Sequence, residues 1–199
     1  MENPDAAPKN SDATADRILD VAEGLLQRRG YHAVSYSDLA DALDLTTAAI
    51  HYHYPSKADL GQALVRRYRR ANAQERAAIV AQTEDLRGRL RAYVALYAEI
   101  LENGGFCLCG GLAAAESALP EAVQREVRRF FADQEDWLTT IVAEGETDPA
   151  GLSGCETSRE VAALFLAAVE GAMLTSRHRP SAPEAYRDAL QNLIDTITG

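Results

Sequence analysis

Helix-capping signals recur at short intervals over residues 35–59 and constrain the fold more than any other feature of the sequence. The segment Ser35–Asp38 places a hydroxyl and a carboxylate three residues apart, as in a capping box. The segment Ser56–Asp59 repeats this arrangement directly after Pro55, and Thr46 between them is a good N-cap. Only helices of roughly two turns fit between these signals.

The rest of the chain carries apolar residues at helical spacing and few β-branched alternations, so the sequence predicts an all-α fold. A small-residue segment over residues 107–117 carries no helix prediction, and a Gly/Pro/Asp loop is expected over residues 145–156. The predicted helices run approximately over residues 12–29, 35–44, 46–54, 56–80, 83–103, 121–144, 158–178 and 182–197.

Length and composition set broad limits on the class of protein. The 199 residues suffice for a small module joined to a larger helical domain. No apolar run approaches the roughly 20 residues of a membrane span, and residues 1–11 lack the features of a signal peptide. We therefore expect a disordered arm over residues 1–11, no membrane partner and a cytoplasmic location. Three cysteines, an odd number, favour reduced thiols.

The net charge of −10 argues at first against a nucleic-acid partner, because DNA binding uses basic residues to displace counterions. The charge is unevenly distributed, however. Residues 1–70 hold nine Lys/Arg against ten Asp/Glu, whereas residues 71–199 hold eleven against twenty. Five of the first nine fall over residues 57–70, which indicates either a local basic patch or a solvated helix face.

Two short helices joined by a four-residue turn have the plan of a helix-turn-helix, whose second helix enters the DNA major groove by its N-terminal residues. Small side chains there would let the backbone approach base edges. These are Thr46, Thr47, Ala48 and Ala49. Donors at the far end of the helix suit phosphates, as does a lysine in the first turn of the next helix. These are His51, Tyr52, His53 and Lys57. Ser35, at the start of the first short helix, completes the predicted DNA-binding set.

A metal site is the alternative for His51 and His53. Side chains two residues apart on a helix point about 200° apart, so these two cannot share one ion on a helix. Ile50 and Tyr54, four residues apart, are instead expected to pack inward. No metal and no cofactor is predicted.

The segment GYHAVSYSDLADALDLTTAAIHYHYPSKADL, residues 30–60, resembles the DNA-binding domain of the TetR/AcrR family of bacterial repressors. The shared elements are a glycine, a Thr/Ser, an Ile/Leu-Ala pair, the turn, an aromatic-rich recognition helix and Pro-Ser-Lys at the start of the next helix. The resemblance implies that the four small residues face bases and that His51, Tyr52, His53 and Lys57 contact phosphates or the groove. The family often has tyrosine where this chain has His51.

The resemblance also implies a division into a three-helix DNA-binding domain over residues 12–56 and a larger ligand-binding and dimerisation domain over residues 57–199. In the family the last two long helices form the dimer. Residues 161–174 are apolar nearly all round, which predicts a partner surface with Phe165, Ala168 and Ala172 at the interface. A central core helix in a monomer is the alternative.

Effector control needs a cavity, and aromatic residues between the two ends of the chain could supply its walls. Tyr93, Tyr97 and Trp137 are predicted to contact a ligand, because each adds a polar group to an apolar ring. The segment containing Cys107 and Cys109 resembles a subset of the family with cysteine at the position of Cys107. Some of that subset respond to electrophiles or oxidants and others bind small acids. Cys107 is therefore also a predicted ligand contact. The alternatives for Cys107 and Cys109 are modified sensor thiols and small buried hydrophobic groups.

Together these features predict a ligand-responsive transcriptional repressor. It would bind double-stranded DNA at a pseudo-palindromic operator as a homodimer, and an unknown small-molecule effector would release it. The four histidines form no nucleophile arrangement and no phosphate-binding loop is present in the sequence, so an enzyme is not expected. The alternatives are a thiol-based sensor that uses Cys107 or Cys109, and a helical scaffold without DNA binding.

Overall fold

A computed structural model describes residues 7–145 and 154–199, which form nine α-helices and one short 3-10 helix. No strand occurs in these residues, so the all-α prediction is confirmed. The 3-10 helix, Glu116–Ala118, lies between α6 and α7. The α-helices are α1 (Ala7–Arg29), α2 (Tyr36–Leu43), α3 (Thr47–His53), α4 (Lys57–Gln82), α5 (Leu86–Glu102), α6 (Leu108–Ala113), α7 (Glu121–Glu144), α8 (Ser158–Ser176) and α9 (Ala182–Thr198).

The first helix begins five residues earlier than the sequence predicts. It starts at Ala7, so residues 7–11, expected in a disordered arm, are helical. Pro8 is tolerated there because the N–H groups of a first helical turn have no intrahelical acceptor. Residues 1–6 of the expected arm lie outside the described residues, as do residues 146–153 of the expected loop after α7.

The small-residue segment contains a helix that the sequence analysis missed. The Cys107 sulfur caps α6 by accepting a hydrogen bond from the Gly110 backbone N–H at 3.3 Å. Glycines have low helix propensity, and α6 carries two of them, so no local pattern indicated a helix. Burial of Leu108, Cys109 and Leu112 holds α6 in place instead.

Helices α1–α3 pack on the beginning of α4. Ile18, Leu39, Ile50 and Leu64 are completely buried between these helices. Gly61 of α4 lies so close to its neighbours that a Cβ there would meet Tyr31 Cε2 at 3.2 Å and Val123 Cγ2 at 3.0 Å. The start of α4 therefore contacts both the loop between α1 and α2 and the start of α7.

The remaining helices form a larger bundle around an aromatic interior. Helix α7 packs along α8, α5 packs along α9, and α4 joins the bundle through α7. Tyr93, Phe130, Phe165 and Tyr186 are fully buried inside it. None of the described helices combines the length and the apolarity needed to cross a membrane.

Candidate nucleic-acid interface

The start of α2 is fixed by its cap. The Ser35 hydroxyl accepts a hydrogen bond from the Asp38 N–H at 3.2 Å, and the Asp38 carboxylate accepts one from the Ser35 N–H at 2.7 Å. Arg29 at the end of α1 donates to the same carboxylate at 3.2 Å. The capping hydrogen bonds and Arg29 hold the pKa of Asp38 below its ordinary value. Ser35 is exposed, and in this structure its hydroxyl serves the cap.

Residues 44–46 turn the chain from α2 into α3. Asp44 has a left-handed backbone, with φ of 54°, which aspartate tolerates better than most residues. The Leu45 N–H donates to the Ala40 carbonyl at 3.0 Å. Thr46 then caps α3 by accepting from the Ala49 N–H at 3.1 Å. The predicted N-cap is confirmed, and the turn fixes the angle at which α3 leaves the domain.

One side of α3 packs inward and the opposite side is bare. Ile50 is completely buried and Tyr54, its C-cap, is also buried, as predicted. The Tyr54 hydroxyl donates to the Ala15 carbonyl of α1 at 3.2 Å. Tyr52 is 78% exposed. The other predicted DNA-facing residues of α3 are exposed at Thr46, Thr47, Ala48 and His51, and half-buried at Ala49 and His53.

The His51 ring is partly engaged within the protein. It packs on the Tyr36 ring at 4.5 Å between centroids, and its Nδ1 lies 3.2 Å from the Pro55 carbonyl oxygen. A carbonyl only accepts, so Nδ1 carries the hydrogen and Nε2 is left for an outside partner. The Tyr36 hydroxyl donates to the Tyr54 carbonyl at 2.8 Å. His51 therefore also supports the end of α3.

Lys57 is the first residue of α4 and is held beside the turn that follows α3. Its ammonium lies 4.6 Å from the centroid of the Tyr31 ring, and the Tyr31 hydroxyl donates to the Lys57 carbonyl at 3.1 Å. Burial lowers the pKa of Lys57, and the nearby Asp38 carboxylate partly offsets that effect. The Lys57 ammonium thus lies at the N-terminus of α4. The ammonium and the free N–H groups of the helix would both attract an anion such as a DNA phosphate.

Of the two interpretations of residues 57–70, a free basic patch does not hold for three of the arginines. Each is paired with one or two carboxylates of α1 or α7, which offset its charge. These pairs are Arg66–Glu126 (3.0 Å), Arg67–Asp20 (2.6 Å), Arg67–Glu23 (3.0 Å), Arg69–Glu126 (2.8 Å) and Arg69–Asp133 (2.7 Å). The acidic partners lie more than 40 residues away along the chain, so counting charges within one segment could not reveal them.

The aromatic residues predicted to contact a ligand come together in the interior of the bundle. Tyr93 and Trp137 are stacked with centroids 5.4 Å apart. The Tyr93 hydroxyl lies 3.3 Å from that of Tyr97 and donates to Gln134 Oε1 at 3.1 Å. Burial raises the pKa of both tyrosines. Their hydroxyls bond to partners within the packed core, and their role toward a ligand stays a prediction.

A groove of about 480 Å³ lies nearby, between α6, α7 and α8. Glu170 of α8 contributes the acid that sequence reasoning missed. The signal was visible, because Glu170 is the one charged residue inside the apolar run VAALFLAAVEGAML. Cys107 and Cys109 are buried behind the groove, where burial and the Glu170 charge raise the pKa of both thiols.

The predicted dimer residues occupy different environments on α8. Phe165 is completely buried inside the subunit, with its ring 6.3 Å from that of Tyr93, so the prediction that it contacts a partner is wrong. Its position on the helix faces the core rather than solvent. Ala168 and Ala172 are half-buried. Leu164 and Leu174, which the sequence analysis did not single out, are 46% and 56% exposed.

An exposed second helix in a helix-turn-helix, attached to a larger all-α bundle, defines the class of DNA-binding transcription regulators. The family described as bacterial regulatory proteins, tetR family, matches residues 18–64. A TetR-family transcriptional regulator from Agrobacterium tumefaciens is 34% identical over 96% of this chain and 100% of that chain, with a TM-score of 0.87. The chain belongs to the TetR family of transcriptional regulators, whose members are not enzymes.

Two further proteins support this assignment. A TetR transcriptional regulator from Legionella pneumophila is 30% identical, covering 92% of this chain and 95% of that chain, with a TM-score of 0.78. The nucleoid occlusion factor SlmA of Marinobacter nauticus (strain ATCC 700491 / DSM 11845 / VT8) is 29% identical over 161 residues. That match covers 78% of this chain and 80% of the SlmA sequence.

Proposed function

We propose that this protein is a ligand-responsive repressor that binds a pseudo-palindromic operator as a homodimer and is released by a small-molecule effector. One observation carries the proposal: the outer face of α3 is bare, while its inner face is fixed by Ile50 and Tyr54. A rigidly held, exposed helix of this kind fits the DNA major groove.

The proposed roles follow the position of each side chain along α3. The residues near its N-terminus are small and allow close approach to base edges, so they would read sequence. These are Thr46, Thr47, Ala48 and Ala49. The larger residues at its far end, together with Lys57, would bind phosphates and set register. These are His51, Tyr52 and His53. Ser35 would act indirectly, because its hydroxyl orients α2.

Dimerisation is supported by the outer face of α8. Leu164 and Leu174 are exposed there, with the small residues Ala167 and Gly171 between them. An apolar stripe containing small side chains allows a second helix to approach closely. A second copy of the chain would bury this stripe and place two α3 helices on one side of the dimer.

Release by an effector is supported by the way α4 links the two parts of the chain. Its first turns pack on α1–α3, and its middle is tied to α7 by the Glu126 and Asp133 ion pairs. An effector that favours one position of α7 would shift the population of α4 positions, and with it the spacing of the two DNA-binding units. The thiol-sensing alternative is less favoured, because a buried thiol with a raised pKa reacts slowly.

The proposal is tested by operator selection from random duplexes, followed by binding measurements at several salt concentrations. Lys57→Ala should weaken binding to all sequences about equally and reduce the salt slope by about one, because it removes one phosphate contact. Thr47→Ala should instead change the preferred sequence. Arg70→Ala, a matched loss of one exposed positive charge further along α4 that leaves the link to α7 intact, should leave binding nearly unchanged.

Absence of specific retention at low salt would contradict the DNA-binding proposal and favour a helical scaffold. A monomer in light scattering, at concentrations where DNA is retained, would contradict the dimer. A thermal-shift screen of small molecules identifies compounds that stabilise the protein. If none of these compounds releases the protein from its operator, release by a ligand is contradicted. Loss of operator binding on mild oxidation, with the modified thiol identified by mass spectrometry, would favour the sensor.

A further inference from the structure

Glu170 lines the groove between α6, α7 and α8, and its carboxylate oxygens lie just behind the groove surface without a cationic partner. Both of its oxygens are shielded from solvent and accept no hydrogen bond of normal geometry from the residues that the structure describes. Leaving such a group unpaired costs free energy, and the cost is largest when the group is charged. A cation from outside the chain that paired with this carboxylate would therefore lower the free energy of the protein.

The residues around the Glu170 carboxylate leave space for it but supply no strong hydrogen-bond donor to it. A Cβ at Gly110 would lie 2.3 Å from Glu170 Oε2, so only glycine in α6 lets the carboxylate occupy this position. The Cys107 thiol lies close enough to favour the charged form slightly, but the effect of burial is larger and raises the pKa of Glu170. A thiol is a weak donor and leaves most of the charge uncompensated.

The basic and acidic residues around the groove are already engaged. Arg177 lies over the Phe106 ring at 5.8 Å and donates to the Arg28 carbonyl at 3.4 Å. Glu135 also lines the groove, but its carboxylate is paired with Arg159 Nε at 2.8 Å. Among the described lining residues, Glu170 is thus the acid that lacks a cation.

The walls of the groove are apolar and suit an organic group rather than a metal ion. Phe106, Phe131, Leu166 and Leu174 are among its lining residues, and its volume of about 480 Å³ is in the range of small-molecule sites. Aromatic rings beside a carboxylate favour a cation through both charge pairing and cation–π attraction. A purely apolar ligand would leave the carboxylate unpaired.

We propose that this groove binds a small organic cation, whose ammonium group pairs with Glu170 while its apolar part lies against Phe106 and Phe131. This inference rests on the proposed function, in which it names the chemical class of the effector. Ala167, Gly171 and Leu174 line the groove and also belong to the exposed stripe of α8, so the cation would lie at the edge of the proposed dimer contact. The alternative occupant is therefore a basic side chain of a second copy of the chain.

The test compares three probes that share a benzyl or phenyl ring and differ in charge: benzylamine, a cation at neutral pH, benzyl alcohol and benzoate. Benzyltrimethylammonium serves as a second cation. Calorimetry on the full-length protein should give saturable binding of the two cations, with benzyl alcohol and benzoate at least about 10-fold weaker, because only the cations compensate the carboxylate. This comparison needs no variant, so it does not depend on how a mutant folds.

Two variants locate the binding group. Glu170→Gln should weaken the cations by about 10-fold or more and abolish their advantage over benzyl alcohol. Glu135→Gln is the matched control, since it removes one charge from the same groove where the carboxylate is already paired, and should change cation affinity by less than about 3-fold. Gly110→Ala keeps the charge but displaces the carboxylate, and should also weaken the cations.

Equal affinity for benzylamine and benzyl alcohol, no binding of either cation, or equal losses in the two glutamine variants would each overturn the inference. Dissociation of the dimer on Glu170→Gln, with no cation bound by the native protein, would assign the carboxylate to a partner's basic side chain instead. Operator binding measured on the same preparations separates the two proposals. If operator binding is retained while no cation binds, only the inference about the groove is overturned. If operator binding is absent, the proposed function is overturned.

Discussion

Two glutamates in the larger bundle have carboxylates shielded from solvent, but only one of the two carboxylates is paired with cations. Glu126, on α7 at the contact with α4, has a side chain only 1% exposed and three arginine partners, Arg66, Arg69 and Arg129. Burial alone would raise its pKa, but hydrogen bonds from Arg66 and Arg69 outweigh that effect and lower it. Glu170 on α8 is half-buried, but its carboxylate oxygens are shielded from solvent without a cation beside them, and burial raises its pKa.

The comparison separates a charge that holds the structure together from one that is available to a ligand. Glu126 joins two helices, so its partners are part of the fold. Glu170 has only the weakly donating Cys107 thiol beside its carboxylate, so its charge is left for the proposed ligand to compensate. Buried charges that a protein leaves unpaired are therefore better indicators of a ligand site than charges that are merely buried.

The largest effect is expected for Glu126→Gln. Removing this charge takes one carboxylate partner from each of Arg66, Arg69 and Arg129 and leaves Arg69 paired with Asp133 alone. We expect a loss of about 2 kcal/mol in the free energy of unfolding. The estimate is moderate because Arg66 and Arg129 are more than half exposed and water can solvate them. Urea unfolding of the two proteins at neutral pH measures the difference, and an unchanged midpoint would show that the pairs contribute nothing.

A smaller effect of opposite sign is expected for Glu170→Gln. The variant removes an unpaired buried carboxylate, so it should be as stable as the native protein or more stable by about 1 kcal/mol. A marked decrease in the free energy of unfolding would show that Glu170 has a structural partner, and Glu170 and Glu126 would then not differ in this respect.

The pH dependence of the two variants sharpens the contrast. The Glu170 pKa is raised in the folded state, so the native protein loses stability relative to Glu170→Gln as pH rises from the ordinary glutamate pKa of about 4.5 through the raised value. The Glu126 pKa is lowered, so its contribution is present above about 4.5 and is lost as pH falls through the lowered value. Thermal unfolding from about pH 3 to about pH 8, a range that covers both windows, should show these opposite trends, and parallel curves would contradict them.

The smallest effect is expected for Glu121→Gln at the start of α7. Glu121 pairs with Arg125 at 2.7 Å, one turn along the same helix, but both side chains are well exposed. Solvent and salt screen such a pair, so the loss should be about 0.5 kcal/mol or less. The same urea titration measures the change in the free energy of unfolding. A loss as large as that of Glu126→Gln would mean that burial does not decide how much an ion pair stabilises this protein.

The sequence alone determined the helix-turn-helix and the family. The capping groups of Ser35–Asp38, Thr46 and Ser56–Asp59 act over three residues, so their spacing in the sequence is their spacing in space. The inward packing of Ile50 and Tyr54 followed from helical periodicity in the same way. The bare outer face of α3 therefore follows from local sequence pattern, since the residues that face away from Ile50 and Tyr54 are left to solvent.

Tertiary structure alone decided which charges are paired and which groups lie beside the groove. The sequence left Arg66 and Arg69 as either a basic patch or a solvated helix face, and packing brought Glu126 to them from about 60 residues away. Packing also buried Phe165, a predicted dimer residue, and brought Glu170 to Gly110 across another 60 residues. Contacts at this separation depend on how whole helices pack, and no local pattern of residues encodes their distance or their burial.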